Sequence, residues 1–137
     1  MSRFSIKHGL YVAALVGAAL IPAPRDASAG FRVGYPVDIN TTAQTASGGL
    51  SSAYNAPDSR QYIGCRTYGF AGVSKVYVGC IAVDEAGTSR SCMTNDANLF
   101  AIATSIGADD WVSFAWDTNG RCTRLAVNHY SWQVPKQ

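Results

Sequence analysis

This 137-residue chain lacks closely spaced metal-ligand pairs, a glycine-rich phosphate loop, a nucleophile elbow and a long hydrophobic run. Its longest apolar stretch, residues 10–21, has about a dozen residues, whereas a membrane-spanning helix needs roughly 20. Histidine is scarce as well, because His8 and His129 are the only two in the sequence. The sequence therefore has none of the usual signatures of zinc enzymes, nucleotide-binding proteins, α/β-hydrolases or membrane-spanning helices.

The chain also lacks an excess of charge once residues 1–29 are set aside. These residues have the layout of a cleaved secretory signal peptide: basic Arg3 and Lys7, then the apolar run, then a small-x-small site before Gly30. Of the 11 basic and 9 acidic residues in the whole chain, eight of each sign follow the leader. A neutral domain does not have the electrostatic footprint of a nucleic-acid binder. We therefore expect a secreted chain, periplasmic or extracellular, with no nucleic-acid partner and no membrane span in its mature form.

Cysteine is present in an even number, and every copy follows the leader. In a small secreted chain this usage predicts two disulfides. Zinc sites favour close pairs such as Cys-x2-Cys, whereas eleven residues separate the closest pair here, so we expect neither a metal nor another cofactor. Strand register allows Cys80 to face Cys65 or Cys92, which leaves the connectivity open. The four predicted disulfide residues are Cys65, Cys80, Cys92 and Cys122.

Composition divides the exported part in two. Residues 30–40 could hold one short strand, but residues 41–59 are small, polar and rich in glycine and serine, with too little apolar side-chain area to offset the entropy of ordering. We therefore predict that residues 30–60 form a flexible N-terminal arm. Residues 61–137 contain aromatic and β-branched runs separated by turn residues, which is typical of strands. We predict a disulfide-stabilised β-rich domain there, with strands near residues 61–70, 75–84 and 89–93 and a hairpin after residue 110.

One helix is predicted between the third and fourth of these strands. Apolar residues recur at helical spacing over residues 99–106, and Thr94 or Asn95 is the predicted N-cap. The negative charge of Asp96 suits the positive end of the helix dipole, and Gly107 ends the helix. The order of three strands, a helix and a hairpin is that of an OB-fold. The expected class is therefore α+β and mainly β: a small antiparallel sheet, or an OB-like five-stranded barrel with the helix between strands 3 and 4.

The C-terminal hairpin gives the most specific structural prediction. Asn119-Gly120 predicts a two-residue type I′ loop, because both central positions of that turn need positive φ. Counting outward from this loop pairs Phe114 with Leu125 and places the large apolar residues on one face. Cys122 then points to the opposite face unless a bulge near the turn reorients it.

Aromatic residues on the other face of this hairpin form the predicted binding surface. Rings of this kind stack on sugars, peptides or bases. We therefore predict a non-catalytic extracellular or periplasmic binding or inhibitory domain, with no catalytic residues and with an unidentified protein or carbohydrate surface partner. The candidate binding residues are Trp111, Arg124, Asn128, Tyr130 and Trp132.

Two alternative functions stay open. One is a small secreted hydrolase using His129 with Asp117 or an arginine, although His129 has no evident partner in the sequence and the adjacent carboxylates Asp109 and Asp110 are interpreted as solvated ends of elements. The other is a structural component of the envelope or matrix, tethered by residues 38–60. Neither the ligand nor the oligomeric state follows from the sequence.

Overall fold

The computed structural model describes residues 31–133 and residue 135, which form seven strands and two short helices. The predicted signal peptide, residues 1–29, lies outside the described residues. No helix within the described part is long and apolar enough to cross a membrane. In chain order the elements are β1 (Asp38–Asn40), β2 (Thr45–Gly49), α1 (Leu50–Tyr54), β3 (Tyr62–Gly69), β4 (Val76–Val83), β5 (Ser89–Thr94), α2 (Ala97–Ala103), β6 (Trp111–Trp116) and β7 (Cys122–Asn128).

The strands form two antiparallel sheets. One is the meander β3-β4-β5, and the other has the order β1-β2-β6-β7. The prediction of a mainly β protein with two disulfides is confirmed. The OB-like barrel is not, because the described strands stay in two separate sheets and close no barrel. The helix α2 follows the meander, but β1 and β2 precede the meander. The helix therefore lies between the fifth and sixth strands of the chain rather than between the third and fourth.

Part of the predicted flexible arm has regular secondary structure, because residues 38–54 contain β1, β2 and α1. The strand β2 lies between β1 and β6, and Ala46 and Ala53 are buried. A Cβ atom added at Gly48 would lie only 3.1 Å from Val37. The small side chains therefore allow close packing, and strand hydrogen bonds together with this packing offset the ordering entropy that composition alone emphasises.

Both sheets contribute to one core. Phe114 and Val112 of β6 and Val78 of β4 are the largest apolar side chains that are fully buried. The helix α2 packs against β7 and β4, and its N-cap Asp96 accepts hydrogen bonds from two backbone N–H groups of the first turn. The helix therefore begins close to the predicted position, but its N-cap is Asp96 rather than Thr94 or Asn95, and it ends at Ala103, earlier than predicted.

The β6–β7 hairpin keeps the predicted register away from its turn but not at the turn itself. Phe114 faces Leu125 as predicted. Gly120 is the only loop residue with a positive φ, 73°, so the predicted type I′ turn is wrong. Asp117 closes the loop instead: its backbone N–H donates to the Arg121 carbonyl at 3.0 Å, and its carboxylate accepts from the Arg121 N–H at 2.9 Å. A glycine in the left-handed region at the end of such a loop is typical of three-residue hairpin loops.

This longer loop is accompanied by a bulge that turns Cys122 toward the core. Pairing shifts between Ala115 and Trp116, so that Trp116 faces Cys122 rather than Thr123. Because an extra residue in a strand reverses the facing of those beyond it, Cys122 becomes buried and bonds to Cys92. The sequence analysis left a bulge near the turn as one option for Cys122, and the structure contains that bulge.

The four cysteines lie side by side across the strands. Cys80 faces Cys65 on one neighbouring strand and Cys92 on the other. The bonds formed are Cys65–Cys80, which crosslinks β3 and β4, and Cys92–Cys122, which joins the meander to β7 of the other sheet. Two predicted disulfides are thus confirmed, and they are typical of proteins that fold in an oxidising environment.

Removal of the bridge between the sheets is expected to cost more stability than removal of the bridge within one sheet. The Cys92–Cys122 bond spans 30 residues and the Cys65–Cys80 bond spans 15, and each doubling of a closed loop adds about 0.6 kcal/mol of entropy to the unfolded chain. We expect losses of roughly 2–4 kcal/mol for each double alanine variant, with the larger loss for the longer loop. Urea unfolding at neutral pH, without reductant, measures both losses of stability. A larger loss on removing Cys65–Cys80 would contradict this ranking.

Candidate functional site

Three of the five predicted binding residues line one recess. Trp111 on β6 lies directly across from Asn128 on β7, and Tyr130 follows the end of β7. The recess is about 360 Å³ in volume. None of the side chains around it is charged. We call it the aromatic recess, and it is lined by Tyr35, Ser47, Trp111, Asn128, Tyr130 and Gln133.

Trp132 supports this recess from the side. Its ring stacks on Tyr130, with 4.2 Å between ring centroids and 18° between the ring planes. Its indole N–H donates to the Tyr35 hydroxyl at 3.3 Å, and Val33 and Gln133 form a parallel bridge beside it. The chain segments before β1 and after β7 thus hold each other, and they position the rings of Tyr35 and Tyr130 at the recess.

Arg124 is not brought into the aromatic recess. It faces Ala115, four residue pairs along the hairpin from Trp111 and Asn128. Its guanidinium donates to the Ser113 hydroxyl at 3.4 Å, which is a long and therefore weak hydrogen bond. The predicted binding residues thus divide into one assembled group and one arginine apart from it.

His129 has a partner that the sequence analysis missed. Its Nδ1 lies 2.9 Å from the Asp110 carboxylate, which is itself buried, whereas the His129 side chain is 55% exposed. The Gly107 N–H also donates to that carboxylate, and the Asp110 carbonyl accepts from the Leu50 N–H at 2.9 Å. The interpretation of Asp110 as a solvated end is therefore wrong, because the turn before β6 folds back onto its side chain.

The hairpin register contains the signal for this pair. Trp111 faces Asn128, so extending the same register by one residue places Asp110 opposite His129. The contact with the buried carboxylate is made through Nδ1 of the imidazole. In the described part of the chain, His129 makes no hydrogen bond to a hydroxyl or thiol, a contact that a Ser-His-Asp arrangement also contains.

A larger open groove lies on the outer face of the meander, away from all the predicted binding residues. Tyr62, Arg66 and Tyr68 alternate with core residues along β3 and share this face, which is a period-two signal that the sequence contained. Tyr68 and Tyr77 stack with 5.4 Å between ring centroids. We call this the sheet groove; it is about 660 Å³ in volume, and its lining includes Tyr62, Gly64, Arg66, Gly79, Ile81 and Met93.

Comparison with known proteins gives no family. No protein-family model matches the chain, and no curated protein or solved structure matches it either. Any functional assignment therefore depends on the geometry of the aromatic recess, the His129–Asp110 pair and the sheet groove.

Substitutions of Asp110 and His129 are expected to differ in their effect on stability. Asp110→Ala leaves the Gly107 N–H without its acceptor and is expected to lower the free energy of unfolding by about 1–3 kcal/mol. His129→Ala removes a largely exposed partner of the Asp110 carboxylate and is expected to cost less than about 1 kcal/mol. Urea unfolding of both variants measures the difference, with Asp110→Asn as the control that keeps an oxygen acceptor. Equal losses for Asp110→Ala and His129→Ala would contradict the assigned role of Asp110.

Proposed function

We propose that this chain is an exported, non-catalytic binding domain that holds a neutral, carbohydrate-like ligand in the aromatic recess. The observation that carries the proposal is the assembly of Trp111, Asn128 and Tyr130 around one recess, with Trp132 stacked behind. The leader-like residues 1–29 and the two disulfides support export. The proposed role is therefore recognition or inhibition of a partner outside the cytoplasm.

The chemistry of the lining supports a neutral polar ligand. Aromatic rings offer flat apolar faces to the C–H faces of a sugar, while Ser47, Asn128 and Gln133 offer hydroxyl and amide groups to its hydroxyls. Ligand sites commonly combine a mainly apolar wall with a few polar groups that fix orientation. Because the lining has no charged side chain, an anionic or cationic ligand gains no specific attraction there.

A glycan array with the purified protein, its disulfides intact, tests the proposal. We expect binding to a subset of neutral glycans, and we expect Trp111→Ala and Tyr130→Ala each to weaken that binding by about tenfold, since each removes one stacking face. Phe31→Ala is the matched control, because Phe31 is 75% exposed and lies outside the recess. Circular dichroism establishes that each variant retains the fold.

Two results would contradict the proposal. Unchanged glycan binding in both recess variants would remove the aromatic recess as the site. Absence of any bound glycan would remove the carbohydrate class, and a protein partner captured from culture medium or envelope extract, and lost with Trp111→Ala/Trp132→Ala, would then replace it.

A second candidate function is hydrolysis assisted by His129. The observation that favours it is the 2.9 Å contact between His129 and the buried Asp110, since a carboxylate that orients an imidazole is part of the usual general-base arrangement. In this candidate Asp110 takes the place that the sequence analysis gave to Asp117, whose carboxylate instead holds the hairpin loop.

His129→Ala distinguishes the two functions. A hydrolase that uses this pair is expected to lose its activity on ester and glycoside substrates in that variant while its fold is retained. An unchanged rate in His129→Ala, measured beside the Asp117→Asn control, removes the hydrolytic candidate and leaves the binding function.

A further inference from the structure

We infer that the sheet groove is a second binding site, and that it takes a small aromatic or alicyclic molecule that carries a negative charge. This inference is independent of the aromatic recess, because the two surfaces share no lining residue. It follows from three features of the groove: a floor without side chains, apolar walls, and a fixed cation.

Two glycines form the floor of the groove. Gly64 faces Ile81 across β3 and β4, and Gly79 faces Arg66 in the next row of the same face. An added Cβ at Gly64 would meet no atom within 4 Å, so the space above it is open. The open space above Gly64 forms the trough, whereas the Arg66 side chain occupies the space above Gly79.

The walls of the groove include three exposed apolar side chains. Tyr62, Ile81 and Met93 all point outward, away from the core. Apolar side chains gathered on one sheet face, rather than scattered singly, typically mark a binding surface. The volume of the groove, about 660 Å³, lies in the range of roughly 300–1,000 Å³ that is typical of small-molecule sites.

Arg66 gives the groove its charge and is held in place. Its guanidinium carbon lies 5.4 Å from the centre of the Tyr68 ring, a cation–π geometry. The Tyr68 hydroxyl in turn contacts the Met93 sulfur at 3.0 Å. A Cβ at residue 79 would lie 3.3 Å from Arg66 Nε, so Gly79 is what allows the arginine to lie flat on the sheet.

The Arg66 guanidinium has no acidic partner among residues 31–133. A carboxylate or sulfonate on the ligand would supply one, and a planar bidentate donor such as arginine suits these groups well. A symmetric dimer through this face would place like-charged guanidinium groups toward each other, which disfavours a second copy as the occupant. Charge complementarity and shape therefore favour a small apolar anion.

Two fluorescent probes with closely related ring systems test this inference. Anilinonaphthalene sulfonate carries the negative charge, and N-phenylnaphthylamine lacks it. We expect the folded wild-type protein to bind the sulfonate saturably with one-to-one stoichiometry, and to bind the uncharged probe about tenfold more weakly, because only the sulfonate pairs with Arg66. Fluorescence titration of both probes gives the two dissociation constants.

Substitutions within the groove separate shape from charge. A Cβ at Gly64 meets no atom within 4 Å, so Gly64→Phe is expected to fill the trough and to abolish binding of both probes. Gly69→Phe, on the same strand but outside the lining, is expected to leave binding unchanged. Arg66→Met is expected to weaken binding of the sulfonate about tenfold and to leave the uncharged probe unaffected. Arg90→Met is the matched control, because Arg90 is an exposed arginine of β5 that does not line the groove.

Each remaining outcome would overturn the inference. Failure of the wild type to bind either probe, or unchanged binding in Gly64→Phe, would show that the groove is not the site. Equal effects of Arg66→Met on both probes would remove the anionic ligand class. Sedimentation velocity adds one more outcome: a wild-type dimer that Gly64→Phe converts to a monomer would identify a second copy of the chain as the occupant.

Discussion

The bond between Cys92 and Cys122 is the constraint on which the arrangement of the two sheets depends. It joins β5, the last strand of the meander, to β7 of the other sheet, and it is buried in the core that the two sheets share. A domain of this size has limited apolar area to bury, so covalent crosslinks supply a large part of its stability. The bulge next to Trp116 is what allows this bond, because it turns Cys122 inward.

The two candidate surfaces have different relations to this constraint. The sheet groove lies on β3, β4 and β5, directly over strands that both disulfides crosslink. The aromatic recess lies at the far end of the β6–β7 hairpin and depends on the stacked Tyr130 and Trp132 after the last strand. The groove is therefore held by covalent and ladder contacts, whereas the recess is held by ring stacking and hydrogen bonds between chain segments distant in sequence.

Much of the fold follows from local sequence signals, and the differences have identifiable physical causes. The meander, the start of α2 and the Phe114–Leu125 register follow from alternation, capping and turn residues. The strand β2 was missed because its small residues have weak strand propensity. Its position between β1 and β6 depends on tertiary packing, which local sequence signals do not contain. The hairpin loop was assigned the wrong type because the Asp117 carboxylate, rather than the Asn119-Gly120 dipeptide alone, organises it.

The candidate site was partly predictable for the same reason. Trp111, Asn128 and Tyr130 were identified by strand parity, which the observed register supports, but the Asp110–His129 pair needed that register to be extended past the end of the strand. The sheet groove was missed because Gly64 and Gly79 have no side chains, and the sequence analysis looked for functional side chains. An open surface of this kind becomes visible only when the rows of neighbouring strands are aligned.

The row of cysteines has a consequence for how the native state is specified. Cys80 faces both Cys65 and Cys92 in the meander, and the sulfurs of Cys80, Cys92 and Cys122 lie within 4.8 Å of one another. Proximity within the meander therefore does not select the native pairs. Cys122 lies on the other sheet and reaches Cys92 only when the two sheets pack together. Formation of the native pair of disulfides therefore requires correct packing of the two sheets.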